Sequence, residues 1–373
     1  MQNQSISNTT DFLPLKRIDY VELYVGNAKQ SAFYYQKALG FNLTGYSGLE
    51  TGNKSDCSYL LEQGKIRILL TTPLTNYGFI SEHIKKHGDG VRDIAFEVED
   101  SEKSFFEATS RGARPVLTPE EIKDENGIII KSSIATYGDT IHSFIERKNY
   151  KGFFVPGFIS PGNRAVPDVK NVGLKSIDHI VGNVELGQMN SWVNFYKHIM
   201  GFSQLISFDD KDISTEYTAL MSKVVQNSTG KIKFPLNEPA KGLRRSQIDE
   251  YLDFYYSAGV QHIALSTANI IESVHNLKNN GVEFLNVPSN YYDVLIDRVG
   301  KIDEDISELK NHGILIDRDE DGYLLQLFSK PIEDKPTLFL EIIQRKGAKS
   351  FGKGNFKALF ESIEREQALR GTL

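Results

Sequence analysis

Three residues of this 373-residue chain have the types and spacing of a metal site: His179 in "KSIDHIVGNVEL", His262 in "GVQHIALSTAN" and Glu341 in "LFLEIIQRKG". Each lies in a run with the apolar character of a strand, where an inward polar side chain must find a partner or cost about 1–3 kcal/mol. Two imidazoles and one carboxylate from three strands satisfy one another by holding one divalent cation. That set is the facial triad of non-haem Fe(II) oxygenases, and with one open tetrahedral position it also suits catalytic zinc. Ligand type leaves the metal open between these two. A thiolate cluster within the chain is excluded, since Cys57 is the only cysteine.

The elements that must position these residues come from an internal repeat. Near the start, "RIDYVELYVGN" is followed by "SAFYYQKALGF"; in the middle, "SIDHIVGNVEL" is followed by "SWVNFYKHIMGF". Trp192, Phe195, Tyr196, Ile199 and Met200 keep the spacing of one buried helix face, and Gly40 and Gly201 stand where a helix should end. Later, "GVRDIAFEVED" pairs with "GVQHIALSTAN", and "IHSFIERKNY" with "LFLEIIQRKG". Two copies of a strand, helix, strands pattern predict a duplicated α+β fold, each copy a half-barrel backed by helices. Superposing the copies sets His179 on Tyr20, His262 on Asp93 and Glu341 on Ser143, with Arg345 on Arg147. Only the second copy therefore carries a full ligand set.

The stretch "KGFFVPGFISPGNRAVPDV" has three prolines and three glycines in 19 residues and no period, so it reads as a linker. The expected organisation is a disordered N-terminus over 1–14, a metal-free domain over 15–150, the linker over 151–169, and a catalytic domain over 170–373 that closes with a helix over 355–370. A net charge of −6 gives no electrostatic reason to expect nucleic acid or an anionic membrane as partner. The polar start "MQNQSISNTTDF" lacks the basic and apolar regions of a signal segment, and no run is apolar enough to span a bilayer. With a single cysteine, these features predict a cytoplasmic protein.

On these residues the chain resembles the 4-hydroxyphenylpyruvate dioxygenase family, within the vicinal oxygen chelate superfamily of paired βαβββ modules. The likeness runs from about Leu15 onward and is densest in "LNEP", "RRSQI", "GVQHIAL", "GYLLQLFSKP", "LFLEIIQRKG" and "FGKGNFKALFESIERE". It implies Fe(II) on His179, His262 and Glu341, and conversion of 4-hydroxyphenylpyruvate and O2 to homogentisate and CO2 in tyrosine and phenylalanine catabolism. Its implied pocket comprises Ser222, Pro235, Asn237, Gln247, Gln326, Phe328, Phe339, Phe351, Asn355 and Phe356. Among these, Ser222, Asn237, Gln247 and Gln326 would hold a phenol hydroxyl, and Phe328 and Phe356 would sandwich the ring. Gln261 also falls at a pocket position, although strand alternation turns it away from the side of His262 unless the strand bulges. A homo-oligomer, dimer or tetramer, is expected.

Two departures concern loops: Tyr255 and Tyr256 replace glycine-rich residues, and the segment from Arg345 to Phe351 is short, as in bacterial-type members. The rival readings are a hydroxymandelate synthase, which tends to carry a smaller aliphatic residue at the position of Phe356, a non-catalytic binding protein of the superfamily, and a zinc or nickel isomerase of glyoxalase type.

Other motifs have plainer explanations. "IDRDEDGYLLQLF" opens like a calcium loop but has Phe328 where a bidentate Glu is required, so it reads as a hairpin turn. "FGKGNF" lacks the spacing of a phosphate loop. The last helix is expected to be capped by Asn355 and to bury Phe356, Leu359, Phe360 and Ile363. Gly352 and Gly354 before it permit a hinge, so it is expected to close over the metal. His83, His87, His142, His198, His275 and His312 fall outside the aligned strand set and read as surface or packing residues.

Overall fold

The computed structural model describes residues 11–209, 215, 217–293 and 295–373. Its N-terminal half runs β1 (Arg17–Tyr24), α1 (Ala28–Lys37), β2 (Asn42–Ser47), β3 (Asp56–Gln63), β4 (Ile66–Pro73), α2 (Phe79–His87), β5 (Gly90–Val98), α3 (Ser101–Ser110), β6 (Pro115–Asp124), β7 (Gly127–Ala135) and β8 (Ile141–Glu146). The C-terminal half repeats this order as β9 (Leu174–Asn183), α4 (Met189–His198), β10 (Ser203–Phe208), β11 (Ala219–Gln226), β12 (Lys233–Ala240), α5 (Gln247–Tyr255), β13 (Gly259–Thr267) and α6 (Ile270–Asn279). Two short helices, α7 (Leu295–Val299) and α8 (Ile306–His312), are inserted before β14 (Leu315–Asp319), β15 (Gly322–Phe328) and β16 (Phe339–Lys346); α9 (Phe356–Arg370) ends the chain.

Each half forms one eight-stranded sheet, ordered β2-β3-β4-β1-β5-β8-β7-β6 and β10-β11-β12-β9-β13-β16-β15-β14. Within each βαβββ module the first and last strands pair in parallel, and the two modules of a half join through an antiparallel pair, β1 with β5 and β9 with β13. The α+β duplication expected from the repeat is the architecture observed.

Local chemistry repeats with it. Asp100 caps α3 by accepting from the Lys103 N–H at 2.8 Å, and Asn269 caps α6 by accepting from the Glu272 N–H at 3.3 Å. After α1 and α4 the chain turns at Gly40 and Gly201, both left-handed, with φ of 71° and 72°. A side chain at Gly40 would also strike the carbonyl of Lys170.

One apolar core crosses both halves, joining Phe96 and Phe144 to Tyr196, Phe202 and Phe234. His142 sits in this seam with one ring nitrogen 2.8 Å from the Tyr196 hydroxyl.

Two expectations are corrected here. Residues 1–10 of the stretch expected to be disordered lie outside the described residues, but Leu13 is buried and the Phe12 ring packs 3.6 Å under the Arg111 guanidinium. Burial of Leu13 and the contact of half-buried Phe12 with Arg111 hold 11–14 in place. The 151–169 stretch is not a bare tether either: Phe154 is fully buried, edge-on to Tyr20 at 5.5 Å and to Phe158 at 5.0 Å. Among the described residues, no helix is long and apolar enough to cross a membrane.

Candidate metal centre and active site

His179 on β9, His262 on β13 and Glu341 on β16 face into the C-terminal barrel from three neighbouring strands. The register sets both His179 and Glu341 opposite Ala264 on the strand between them, so a small side chain separates the two donors. One ligand atom from each residue lies within 4.8 Å of the others, and all three residues are buried. His179 Nε2 is 3.0 Å and His262 Nε2 is 3.3 Å from the Glu341 carboxylate.

The opposite ring nitrogens are also engaged. His179 Nδ1 lies 2.8 Å from Asp178 Oδ1, and His262 Nδ1 lies 3.1 Å from Gln261 Oε1. Residues next to each other in a strand ordinarily point to opposite faces, so neither contact belongs to a regular ladder. Both arise from bulges: the β9–β13 register skips Asp178 between Ile177 and His179, and skips Gln261 between Val260 and His262. Each bulged residue thus swings beside the imidazole that follows it. With a Nδ1 proton donated to these acceptors, each neutral imidazole aims its Nε2 lone pair at the carboxylate, and the donor set fits one divalent cation.

Burial alone would raise the Glu341 carboxyl, but the two imidazoles, His179 foremost, hold it down to about 2. Burial would lower His179, yet Glu341 and Asp178 on either side push it up. His262 faces an amide on its outer side and is lowered by burial.

Above the triad is a pocket to which the structure brings most of the expected residues. Ser222 and Asn237 face each other across β11 and β12, Pro235 follows on the same face, and Gln247 enters from the start of α5. Gln326, Phe328 and Phe339 come from β15 and β16, and Phe351 and Phe356 from the segment leading into α9. Gln261 also lines the pocket, because of its bulge. Phe339 stacks on His262 with centroids 4.8 Å apart, and Phe351 meets His179 edge-on at 5.0 Å. The Gln326 Oε1 atom is buried and finds no hydrogen-bond partner among the described residues. Gly352, with φ of 76°, passes so close that any Cβ there would collide with this oxygen.

Asn355 is not brought to the pocket. It occupies the N-cap position of α9 without capping it, and its Oδ1 instead accepts from the Tyr291 hydroxyl at 2.6 Å and Arg298 at 3.4 Å. The long cationic and phenolic donors on the inserted α7 region outcompete the helix N–H groups for that oxygen.

The wall also contains Val181, Phe208, Leu220, Val224, Leu359 and Phe360, which sequence reasoning did not assign to the pocket. Simple periodicity could have found most of them. Val181 is two residues from His179, Leu220 and Val224 flank Ser222 at the same interval, and Leu359 and Phe360 lie three and four positions after Phe356.

The acidic hairpin holds the approach to α9. The Asp319 carboxylate accepts from the N–H groups of Asp321 and Gly322 in its own turn and from those of Lys349 and Ser350, while Asp317 accepts from that of Gly354.

A duplicated barrel of this topology, with a buried His, His, Glu set in one copy, defines a metal-centred member of a wider class. The family model described as "Glyoxalase/Bleomycin resistance protein/Dioxygenase superfamily" matches residues 17–140 and 176–327, once in each half. A 4-hydroxyphenylpyruvate dioxygenase of Coccidioides posadasii is 47% identical, covering 98% of this chain and 96% of its own. One from Dictyostelium discoideum is 46% identical over 96% of this chain and 100% of its own. The solved structure of a triple mutant of 4-hydroxymandelate synthase from Streptomyces coelicolor superposes with a TM-score of 0.85 at 30% identity, covering 95% of this chain and 99% of that one. The chain belongs to the 4-hydroxyphenylpyruvate dioxygenase family, a family of oxidoreductases.

Proposed function

We infer that this enzyme converts 4-hydroxyphenylpyruvate and O2 to homogentisate and CO2, using Fe(II) held by His179, His262 and Glu341. The observation that carries this reading is the convergence of the triad on a pocket with aromatic walls and a stranded polar acceptor. His179, His262 and Glu341 would hold the iron, which would supply the redox chemistry that couples loss of CO2 from a 2-oxo acid to ring oxygenation by O2.

The remaining work falls to side chains of this chain. Phe328 and Phe356 bind and orient the ring, while Phe339 and Phe351 pack against the histidines and exclude water. Gln326 offers its unpartnered Oε1 to the phenol proton; Ser222, Asn237 and Gln247 supply further donors and acceptors, so that a ring lacking the hydroxyl would strand them. Gln261 acts through His262, whose Nδ1 it receives, and Asn355 through Tyr291 and Arg298. Closure of α9 keeps the decarboxylating substrate from solvent. The N-terminal half serves as scaffold and subunit contact in a cytoplasmic homo-oligomer.

The test is anaerobic reconstitution with Fe(II), addition of 4-hydroxyphenylpyruvate and O2, and chromatographic identification of the product. Homogentisate is expected. Hydroxymandelate would keep the metal site and overturn the role of Phe356, and absence of O2 uptake by iron-loaded protein would reject the reaction.

A further inference from the structure

The bulged residue Asp178 does more than receive a proton from His179. Its carboxylate also accepts a two-pronged bond from Arg345, Nε to Oδ2 and Nη2 to Oδ1, both at 2.8 Å. The same guanidinium uses its third nitrogen, Nη1, to hold the carbonyls of Ser350 at 2.6 Å and Ala348 at 3.2 Å. It also lies 5.3 Å from the centre of the Phe351 ring, the ring that meets His179 edge-on. Arg345 stands four residues after the ligand Glu341 on β16. One planar fork therefore touches the partner of a ligand on one side and the stalk of α9 on the other.

We propose that Asp178 and Arg345 are positioning residues that couple the metal centre to the seating of residues 347–370. This rests on the reading of His179, His262 and Glu341 as metal ligands. A cation on His179 Nε2 makes the Nδ1–H a stronger donor and fixes the Asp178 carboxylate in the plane that also receives Arg345. A guanidinium so fixed presents Nη1 to the stalk carbonyls. The coupling is reciprocal, so a seated stalk favours the metal as much as the metal favours the stalk.

The N-terminal half carries a related clamp, in which two nitrogens of Arg147 both reach Asp19 Oδ2 while Oδ1 accepts from Arg67. Arg147 binds Asp19 through Nε at 2.8 Å and Nη2 at 2.6 Å, and its Nη1 holds the carbonyl of Phe154, but the residue after Asp19 is Tyr20. A clamp that serves folding alone therefore exists in the same molecule as a control.

The experiment measures Co(II) affinity of the full-length protein under nitrogen, and the rate at which a protease cuts the C-terminal segment with and without Co(II). In the parent protein Co(II) should slow that cleavage. Arg345→Lys keeps the charge but loses the fork; it should weaken Co(II) binding about tenfold and abolish the metal-dependent protection. If that variant does not fold, Asp178→Asn tests the link from the other end. Asp19→Asn should lower global stability while leaving Co(II) affinity and protection intact. Unchanged affinity and protection in Arg345→Lys or Asp178→Asn, or an equal loss in Asp19→Asn, would overturn the coupling. A parent protein that binds no Co(II), or binds it equally after Glu341→Gln, would instead overturn the metal reading and the coupling with it.

Discussion

The two half-barrels place different groups at the same four strand positions. β9, β13, β16 and β15 present His179, His262, Glu341 and Gln326; β1, β5, β8 and β7 present Tyr20, Asp93, Ser143 and Lys131 in matching register. In the N-terminal barrel, Asp93 Oδ2 accepts from Ser143 Oγ at 2.6 Å and from the Tyr20 hydroxyl at 3.3 Å. Lys131 Nζ reaches the Tyr20 oxygen at 2.8 Å and Asp93 at 3.4 Å. Burial would lower this ammonium, but Tyr20, Asp93 and Glu22 hold it well above the ordinary lysine range. The N-terminal barrel thus carries an internal cation on a side chain. The other barrel presents two imidazoles and a carboxylate, a donor set that fits a cation taken from solution. Bulges and sheet topology are common to both, so at these four positions the two barrels differ in whether a lysine of the chain stands among the polar groups.

The largest effect should come from Glu341→Ala, which removes the only carboxylate of the triad. Bound metal should be lost and turnover should fall by about three orders of magnitude or more, read by metal analysis and O2 uptake. Ser143→Ala, at the matching position, should leave both unchanged. Next comes Lys131→Met, which removes the cation beside buried Asp93 and half-buried Glu22 and should destabilise the protein by about 3 kcal/mol in urea unfolding. Activity per folded molecule should persist, and adding Asp93→Asn should restore much of the loss. A Lys131→Met protein as stable as the parent would show that this barrel has no need of an internal charge.

The duplication and the candidate triad were legible in the chain itself, because strands repeat every two residues and helices every three to four, whereas the expected pocket wall came from the family likeness. Lys131 was not, although it aligns with Gln326, since only the ligand positions prompted comparison of the copies. Gln261 came only through the family likeness, with alternation against it, and Asp178 escaped altogether: a bulge depends on pairing with another strand, and alternation within one strand argues against it. Asn355 has the chemistry of a cap and of a pocket residue. Its actual partners, Tyr291 and Arg298, lie about sixty residues away in an insertion that the first copy lacks, so no internal comparison could point to them.

The seam between the halves supplies a smaller, pH-dependent contrast. Burial pushes His142 down to about 4, against the weaker pull of the Ile94 carbonyl and Asp93. Unfolded, it titrates near 6.5, so between these values the unfolded chain binds more protons and stability rises with pH. The contribution is complete above pH 6.5 and is lost as pH falls toward 4, with a total on the order of 3 kcal/mol. The C-terminal copy has Leu340 at the matching position. His142→Leu should therefore flatten the dependence of the melting temperature on pH across that window, and an unchanged slope would remove His142 as its source.

The finest test concerns the bulge that both copies keep. On β5 the bulged residue is Arg92, which packs over Phe79 at 4.2 Å and serves the carbonyl of Asp139; on β13 it is Gln261, which serves His262. The backbone irregularity therefore forms without a histidine beside it, and the side chain in it differs between the halves. Gln261→Leu removes the Nδ1 acceptor while keeping the bulge and the ring's packing on Phe339. The imidazole then has no partner to hold its tautomer, and Co(II) affinity should fall about tenfold, or about 1.4 kcal/mol, with KM for substrate little changed. Arg92→Leu should not alter metal affinity at all. If Gln261→Leu instead raised KM and left metal binding intact, the glutamine would belong to the substrate and not to the histidine beside it.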